Sequence, residues 1–277
     1  MAKYDIKLVV SDIDGTLLPK GGNISEGTRR AVAECRKRGI TFALATGRWF
    51  PTTLPLADAV GCQGPLIVAG GGCVITMDGE ILQEFTMDDA DARKTYEIIR
   101  DCGGMITSYV HGAIYRMNAK CLEKHPPEKT AYIDGDVWEV VDDDANRFEK
   151  EGLYGVYKME VYSDEPALLK ELWKELEAAG LSVCSSTIKN IEISSPGRGK
   201  GQALKWLAEY MEIDCSQVMA FGDHVNDIDM IEAAGVGVAM GNGEPEVKKV
   251  ADLIAPPCTD DGLARMLRDI VFDSEDK

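Results

Sequence analysis

Two aspartates one residue apart, Asp12 and Asp14, follow directly on an apolar run in the segment VVSDIDGTLL, residues 9–18. Side chains two residues apart in an extended segment lie on the same side of the chain. The pair could therefore supply a nucleophile, a general acid or base, and carboxylate ligands for a metal ion. Taken alone, the segment also fits a turn that carries two solvated aspartates.

Three further polar clusters follow predicted strands or open a predicted helix. They are Thr46, Gly47 and Arg48 after ITFALA, Lys200 after SSPGRG, and GDHVND at residues 222–227 after QVMAF. In an open parallel sheet, ligands bind at the carboxyl ends of the strands. Each cluster alone is typical of a turn, a solvated lysine or a helix cap, so it is their combination that predicts one shared site.

This set of side chains matches the needs of phosphoryl transfer. That reaction uses a hard cation held by carboxylates, a positive side chain and a hydroxyl on the phosphate, and a nucleophile in line with the phosphorus. Beside Mg²⁺, Asp12 stays ionised and can attack phosphorus to form an aspartyl-phosphate. Asp14 is then placed to protonate the leaving group and later to take a proton from the attacking water.

The elements that must position these groups alternate between strand and helix. Strands are predicted at Ile6 to Val10, at ITFALATG and at PLIVAGG, and helices begin after Ser25 and at Pro51. Ser25 can cap the first helix, and Gly39 can end it in a left-handed conformation. This alternation predicts an α/β core with a parallel sheet and right-handed crossovers.

The pattern changes at CVITMDGEILQEF, residues 73–85, where two alternating runs flank a turn and predict a hairpin. Residues 86–190 alternate helix and strand differently, and we interpret them as an inserted α+β domain. Three strands and one amphipathic helix are predicted there, at 105–110, 113–117, 156–162 and 164–179. The segment IEIS then restores the parallel pattern, so residues 1–85 and 191–277 form a core that is split in the sequence.

The composition is that of an ordinary soluble globular protein, with 45% apolar and 28% charged residues among 277. No apolar run approaches the roughly 18 residues of a membrane helix, and the N-terminus lacks the pattern of a secretory signal. We therefore expect a cytoplasmic protein without a membrane partner. Its eight cysteines are scattered, with no CxxC pair, and are expected to be reduced.

The formal net charge of −17 bears on the partners that the protein can bind. Nucleic acid requires a basic surface for its phosphates, and no basic stripe is present in the sequence, so nucleic acid is not expected as a partner. A small phosphorylated metabolite remains compatible with an acidic protein, because a metal cation and one or two basic residues can neutralise it locally.

The segments DIDGTLL, TGR, the lysine of GRGKG and GDHVNDIDM resemble, in this order, the four motifs of the haloacid dehalogenase superfamily of phosphatases. The insertion, the late lysine and the closing GVGVAMGNGEPEVKKVAD resemble the Cof-type branch, which carries a C2-type cap domain. The resemblance covers essentially the whole chain. It implies a Rossmann-like core with an α+β cap, dependence on Mg²⁺, and hydrolysis of small phosphate monoesters, often sugar phosphates.

The resemblance also implies a role for each motif residue. Asp12 would be the nucleophile, Asp14 the general acid and base, and both would reach the metal, Asp14 through its backbone carbonyl. The phosphate would be bound by Thr46, Gly47, Arg48, Lys200 and Asn226, with Asn226 orienting either the phosphate end or Asp223. Asp223 would be a metal ligand. Asp227 would be either a metal ligand or a carboxylate that contacts the ligands without binding the metal.

Three positions depart from the family pattern. Gly70–Gly72 stand where the branch usually has Asn-Gly, and they fit either a tight bend or a loop that cradles phosphate. Gly243 stands where the pattern has alanine. His224 occupies a slot that is often small in relatives, and it is either incidental or reaches the cap or the leaving group. Arg48 has two possible partners, a substrate oxyanion or an acidic neighbour.

Two other functions fit the same residues. A phosphomutase would return the phosphoryl group to a sugar and would need a cap that retains the intermediate. A phospho-acceptor switch would need a long-lived acyl phosphate, which Asp14 would shorten by activating water. The identity of a metabolite substrate depends on cap loops, which we expect within residues 105–135 and 185–192.

Overall fold

The computed structural model describes residues 4–19, 21–118, 131–133, 136–142, 150 and 153–272. The chain forms two compact units. The first takes the chain up to Gln83 and again from Gly199, and the second is Glu84–Arg198. Each unit contains one sheet. The helices in the described ranges all lack the length and apolar composition that a membrane span requires.

The described strands, in chain order, are β1 (Leu8–Ser11), β2 (Thr41–Ala45), β3 (Leu66–Val68), β4 (Cys73–Ile75), β5 (Ile81–Glu84), β6 (Met105–Val110), β7 (Ala113–Met117), β8 (Ala131–Ile133), β9 (Asp136–Asp142), β10 (Val156–Tyr162), β11 (Ser182–Cys184), β12 (Asn190–Ser194), β13 (Val218–Gly222), β14 (Val236–Ala239) and β15 (Leu253–Ile254). The described α-helices are α1 (Glu26–Lys37), α2 (Phe50–Val60), α3 (Asp89–Ile99), α4 (Pro166–Ala178), α5 (Lys200–Tyr210), α6 (Ile228–Ala233), α7 (Pro245–Val250) and α8 (Gly262–Met266).

The first unit is built on an eight-stranded sheet in the order β15-β14-β13-β1-β2-β3-β4-β5. The strands from β15 to β3 are parallel to their neighbours, and β4 is antiparallel to β3. All four residues of β1 are buried, as expected for a central strand that is covered on both faces. The α/β core predicted from the strand-helix alternation is confirmed.

Helix α1 illustrates how local signals set the element boundaries. The Ser25 hydroxyl accepts a hydrogen bond from the Thr28 backbone N–H at 2.9 Å, so it caps the helix as predicted. Gly39 has a φ of +71° just beyond the helix end, a conformation that favours glycine. The face between these ends buries Ala31, Val32 and Cys35.

The second unit holds a seven-stranded sheet in the order β11-β12-β10-β6-β7-β9-β8. Its strands β6, β7 and β10 lie at the three predicted ranges, and α4 lies within the predicted helix. One face of the sheet packs against helices, because Met159 and Val161 of β10 share an apolar core with Leu169, Leu172 and Leu176 of α4. The unit therefore has its own hydrophobic core.

The segment IEIS belongs to this second sheet, and its assignment to the parallel core is wrong. It forms most of β12, which pairs antiparallel with β10 in a register that sets Met159 opposite Ile193. Ile191 and Ile193 enter the apolar core, while Glu192 between them lies on the other face. This period of two is typical of an antiparallel strand with one apolar face, and not of the parallel core to which the sequence pattern assigns the segment.

The other face of the second sheet carries buried charged groups. Lys158 Nζ donates to Glu192 Oε2 at 2.5 Å, and it also lies 4.6 Å from the centre of the Tyr109 ring. Glu160 accepts hydrogen bonds from the Asn190 amide at 2.5 Å and from the Tyr109 hydroxyl at 3.1 Å. Two carboxylates thus share one ammonium. Desolvation raises the pKa of Glu160, with a further contribution from Glu192, although Lys158 opposes it.

We expect a Glu160→Gln variant to gain stability relative to the wild type as the pH rises. Because folding raises the pKa of Glu160, the folded wild type binds more protons than the unfolded chain at pH values above the ordinary glutamate pKa. The stability of the wild type therefore falls as the pH rises toward the folded-state pKa of Glu160. Glutamine carries no charge and avoids that loss. Denaturant unfolding of both proteins between pH 4 and 8 measures the difference.

The matched control is Glu192→Gln, which removes the hydrogen-bonded partner of Lys158 and is expected to destabilise the protein at neutral pH. Equal effects of the two glutamine variants at all pH values would contradict the distinct roles given to the two carboxylates.

Candidate active site

Three neighbouring strands of the first sheet end at the same rim. Asp12 follows β1, Thr46 follows β2 and Asp223 follows β13. The parallel register sets Ser11 of β1 level with Phe221 of β13, and the Asp12 backbone N–H donates to the Phe221 carbonyl at 2.9 Å. The fold therefore places these three polar groups at the carboxyl ends of neighbouring parallel strands, where the sequence predicts a shared site.

Lys200 is the positive centre of this rim. Its Nζ atom donates to Asp12 Oδ1 and to Asp227 Oδ1, both at 2.6 Å. Lys200 is 1% exposed and Asp227 is fully buried, so both ion pairs lie out of water. One carboxylate oxygen from each of Asp12, Asp223 and Asp227 lies within 4.8 Å of the other two. Groups that are more than 200 residues apart in the sequence thus form one cluster.

A dense set of hydrogen bonds fixes the carboxylates on the β13 side. Asp227 Oδ2 accepts from the backbone N–H groups of Asp223 at 2.9 Å and His224 at 3.1 Å. The Thr16 hydroxyl donates to Asp223 Oδ1 at 2.8 Å. A Cβ atom on Gly15, which has a φ of +95°, would overlap the Asp223 carboxylate. Glycine is therefore required at this position for the two loops to approach.

Burial controls the protonation of the cluster in the metal-free protein. Desolvation raises the pKa of Asp12 well above its ordinary value, and Asp227 and Asp223 add to this while Lys200 opposes it. Desolvation also raises the pKa of Asp223, to about 6. For Lys200, burial lowers the pKa, but the attraction of Asp12 and Asp227 outweighs burial and raises it. The Lys200 ammonium therefore stays charged. Its single positive charge does not offset the burial of the carboxylates, so the pKa values of Asp12 and Asp223 stay raised.

Arg48 pairs with an acidic neighbour, one of the two partners left open by the sequence. Its Nε and Nη2 atoms donate to the two oxygens of Asp14, each at 2.7 Å. This two-bond geometry fixes the plane of the carboxylate, while the Asp14 side chain keeps 52% of its exposure to solvent. The Arg48 backbone N–H donates to the buried Thr46 hydroxyl at 3.2 Å, and Gly47 links the two residues.

Gly70–Gly72 form a tight bend, which is one of the two interpretations of this glycine run. Ala69, Gly70 and Gly71 all have positive φ. A Cβ atom on Gly71 would overlap the carbonyl of Gly199, directly before Lys200. The bend therefore lets the backbone touch the start of helix α5, the helix that carries Lys200.

The remaining predicted residues lie around the loop after β13. Asn226 is half-buried on the short 3₁₀ turn Val225–Asp227. His224 Nε2 lies 3.1 Å from Glu244 Oε1. A Cβ atom on Gly243 would lie 3.0 Å from the Asp223 carbonyl oxygen, so the glycine allows a close approach there.

Two residues that were not predicted from the sequence connect these loops. The Thr16 hydroxyl, in the DGT segment, holds Asp223. The Asn242 amide donates to the Gly15 carbonyl at 2.7 Å, and its oxygen accepts from the Cys258 backbone N–H at 2.8 Å. Both were visible as polar residues within turn-like segments, but only the folded chain shows which loops they join.

The donor set of the cluster fits a hard divalent cation. Carboxylate oxygens are the ligands preferred by Mg²⁺. Asp12, Asp223 and Asp227 bring three negative charges when ionised, and Lys200 brings one positive charge, so the cluster carries a charge of about −2. A divalent cation would neutralise this charge, and the spacing of the three carboxylate oxygens allows one ion to contact all of them.

Comparison with known proteins identifies the family. The chain matches the haloacid dehalogenase-like hydrolases over residues 9–267. It is 30% identical over 264 residues, 95% of either chain, to the 5-amino-6-(5-phospho-D-ribitylamino)uracil phosphatase YcsE of Bacillus subtilis. It is similar to the solved structure of a haloacid dehalogenase-like hydrolase from B. subtilis, with a TM-score of 0.80 and 26% identity over 95% of this chain and 99% of that one.

A second solved structure, the phosphatase BT1666 of Bacteroides thetaiotaomicron, has a TM-score of 0.77 and 27% identity over 97% of this chain and 96% of that one. These likenesses span nearly the whole chain and confirm the resemblance that the four motifs predicted. They also confirm the predicted class of enzyme, a phosphomonoesterase. The chain belongs to the haloacid dehalogenase-like hydrolases.

Proposed function

We propose that this protein hydrolyses a small phosphorylated metabolite with the help of Mg²⁺, through an aspartyl-phosphate on Asp12. The observation that supports this most is the convergence of Asp12, Asp223 and Asp227 around the Lys200 ammonium at one sheet rim. A nucleophilic carboxylate, a group of metal ligands and a buried cation for the phosphate thus lie in one cluster.

Asp12, Asp223 and Asp227 are the side chains that would hold the ion, together with the Asp14 backbone carbonyl. When bound, Mg²⁺ neutralises the carboxylates and stabilises the charge that develops on the phosphoryl oxygens. Thr16 has a supporting role, because its hydrogen bond orients Asp223 toward the cluster.

The reaction divides into two displacements at phosphorus. In the first, an Asp12 carboxylate oxygen bonds to phosphorus as the ester oxygen leaves, and Asp14 gives that oxygen its proton. In the second, Asp14 takes a proton from water, whose oxygen attacks the same phosphorus and releases inorganic phosphate from Asp12. Lys200 and the Thr46 hydroxyl would hold the phosphoryl oxygens in both steps, with Gly47 and Asn226 beside them.

Arg48 orients Asp14 in this scheme. The bidentate pair holds the Asp14 carboxylate at the mouth of the site while half of its side chain stays exposed to solvent, where a leaving group and a water molecule can reach it. Because Arg48 donates to both Asp14 oxygens, the oxygen that carries the proton for the leaving group has to give up its hydrogen bond to Arg48.

The substrate is proposed to be a phosphorylated sugar or a similar small metabolite. The relative YcsE is named for a phosphate ester on a ribityl chain, and the present chain covers 95% of that protein. The net charge of −17 also favours a small anion neutralised inside the site over a polyanion bound on the surface.

A phosphate-release assay against a panel of phosphorylated metabolites tests the proposal. We expect turnover that requires Mg²⁺ and stops when EDTA removes the ion. In an Asp223→Asn variant, the Mg²⁺ concentration for half-maximal rate should rise about 10-fold or more, because one charged ligand is lost. Asp58→Asn, an exposed aspartate on α2, is the matched control and should behave as the wild type.

Two results would contradict the proposal. One is the absence of phosphate release from every compound in the panel with Mg²⁺ present. The other is hydrolysis that EDTA leaves unchanged. Transfer to a second sugar hydroxyl, with no free phosphate and a requirement for a bisphosphate activator, would favour the phosphomutase.

A further inference from the structure

The start of helix α5 carries Lys200 but has no cap of its own. The N-cap residue is Gly199, which has no side chain that could accept a hydrogen bond from the first turn. The first backbone N–H groups of a helix need acceptors from elsewhere in the protein. The position of the helix N-terminus matters because Lys200, the first residue of the helix, holds its ammonium between Asp12 and Asp227.

Asp229 supplies the missing acceptor from another helix. Its Oδ2 atom accepts a hydrogen bond from the Gly201 backbone N–H at 2.9 Å. A carboxylate at this place also complements the positive end of the helix dipole. Asp229 lies in α6, directly after the turn that carries Asp227, so one short segment contacts both the Lys200 ammonium and the backbone beside it.

Glycines allow this contact to be close. A Cβ atom on Gly199 would overlap the Asp229 carboxylate, and one on Gly201 would overlap the Asp229 backbone carbonyl. From the opposite segment, a Cβ atom on Gly71 would overlap the Gly199 carbonyl. The backbone of the first turn thus lies close to two other segments, and the Asp229 carboxylate accepts a hydrogen bond from its Gly201 N–H.

We propose that Asp229 is a positioning residue that fixes the first turn of helix α5 and thereby the Lys200 ammonium. The proposal rests on the proposed function, because that function assigns Lys200 to the phosphoryl group. An ammonium that serves two carboxylates at 2.6 Å has little freedom, and a shift of the helix start by a fraction of an ångström would lengthen one of these bonds.

Two substitutions separate positioning from general stability. Asp229→Ala removes the acceptor, and Asp229→Asn keeps an amide oxygen that can accept from Gly201. We expect the alanine variant to lose between about 5-fold and 100-fold in kcat/KM, with a raised inhibition constant for inorganic phosphate. The asparagine variant should recover most of the activity. Glu232→Ala, an exposed residue of the same helix, is the control and should not differ from the wild type.

The inhibition constant for phosphate is the decisive readout. A variant that is merely less stable has fewer folded molecules, so its apparent kcat falls while KM and the phosphate inhibition constant stay constant. Circular dichroism gives the folded fraction, by which all rates are normalised. An alanine variant with wild-type kcat/KM and wild-type phosphate inhibition would overturn the proposal, as would an asparagine variant that is as impaired as alanine.

Failure of the two proposals can be distinguished. A wild-type protein that releases no phosphate from any compound contradicts the proposed function. An active wild type with an equally active Asp229→Ala variant overturns the role of Asp229 and leaves the proposed function intact.

Discussion

An Asp12→Asn variant is expected to fold normally and to lose about 10⁴-fold or more in kcat. Asparagine has nearly the same shape as aspartate, and its amide oxygen can still accept from Lys200. It cannot act as the nucleophile, because a neutral amide oxygen does not displace an alkoxide from phosphorus. The loss should be equal for all substrates, since the same attacking atom serves every leaving group.

The stability of this variant should equal or exceed that of the wild type. Desolvation and two neighbouring carboxylates disfavour the charged form of Asp12, as its raised pKa indicates, so a neutral side chain removes an unfavourable interaction in the metal-free protein. Thermal melting without metal measures this effect, and phosphate release with Mg²⁺ measures the loss of turnover.

The control for this prediction is Asp14→Asn, which keeps the nucleophile. It should remain able to form the aspartyl-phosphate with a good leaving group such as p-nitrophenolate, whereas Asp12→Asn should not. Mg²⁺-dependent turnover by Asp12→Asn would exclude Asp12 as the nucleophile. A variant that fails to fold would contradict the stability argument.

Much of the core could be predicted from local sequence patterns. Short β-branched runs such as that of β1 are typical of central parallel strands, and the structure buries β1 completely. Because such strands all end at one rim, the placement of Asp12, Thr46 and Asp223 follows from the fold class itself. The helix boundaries at Ser25 and Gly39 follow from cap chemistry.

The pairing of individual groups could not be predicted, because it depends on distances between segments that are far apart in the sequence. Arg48 had two candidate partners of equal merit, and the fold selects Asp14. The contact of Gly71 with the start of α5 depends on a bend of three successive positive φ angles. Nothing local in GDHVNDIDM indicates that Asp229 reaches the backbone of another helix.

The IEIS error has a related cause. A four-residue run with isoleucine at alternate positions fits both a strand buried on two faces and a strand buried on one. The charged residue Glu192 was the available signal for the second. A glutamate in a two-sided parallel strand would lack a partner, whereas on the polar face of the second sheet it binds Lys158.

A Lys200→Met variant is expected to lose both activity and stability. Methionine has a similar length and no charge, so Asp12 and Asp227 remain buried without the ammonium that now binds them. Removing one partner of a buried ion pair costs about 3–5 kcal/mol of unfolding free energy. Turnover should fall about 10³-fold, because the variant also lacks the positive charge on the phosphoryl group.

Mg²⁺ should restore more stability to this variant than it adds to the wild type. With Lys200 gone, the ionised cluster changes from a charge of about −2 to about −3, so a divalent cation relieves more repulsion there. Lys158→Met is the matched control, because Lys158 is also buried and ion-paired, with Glu192 at 2.5 Å, but lies in the second unit.

Both methionine variants should therefore melt well below the wild type, and Mg²⁺ should raise the melting temperature of Lys200→Met far more than that of Lys158→Met. Titrating Mg²⁺ against the melting temperatures of all three proteins checks this. If Lys200→Met keeps wild-type stability without metal, the ammonium does not balance the buried carboxylates. If Mg²⁺ stabilises both variants equally, loss of the Lys200 ammonium does not strengthen the binding of the ion, and the expected charge coupling between Lys200 and the ion at Asp12, Asp223 and Asp227 is wrong.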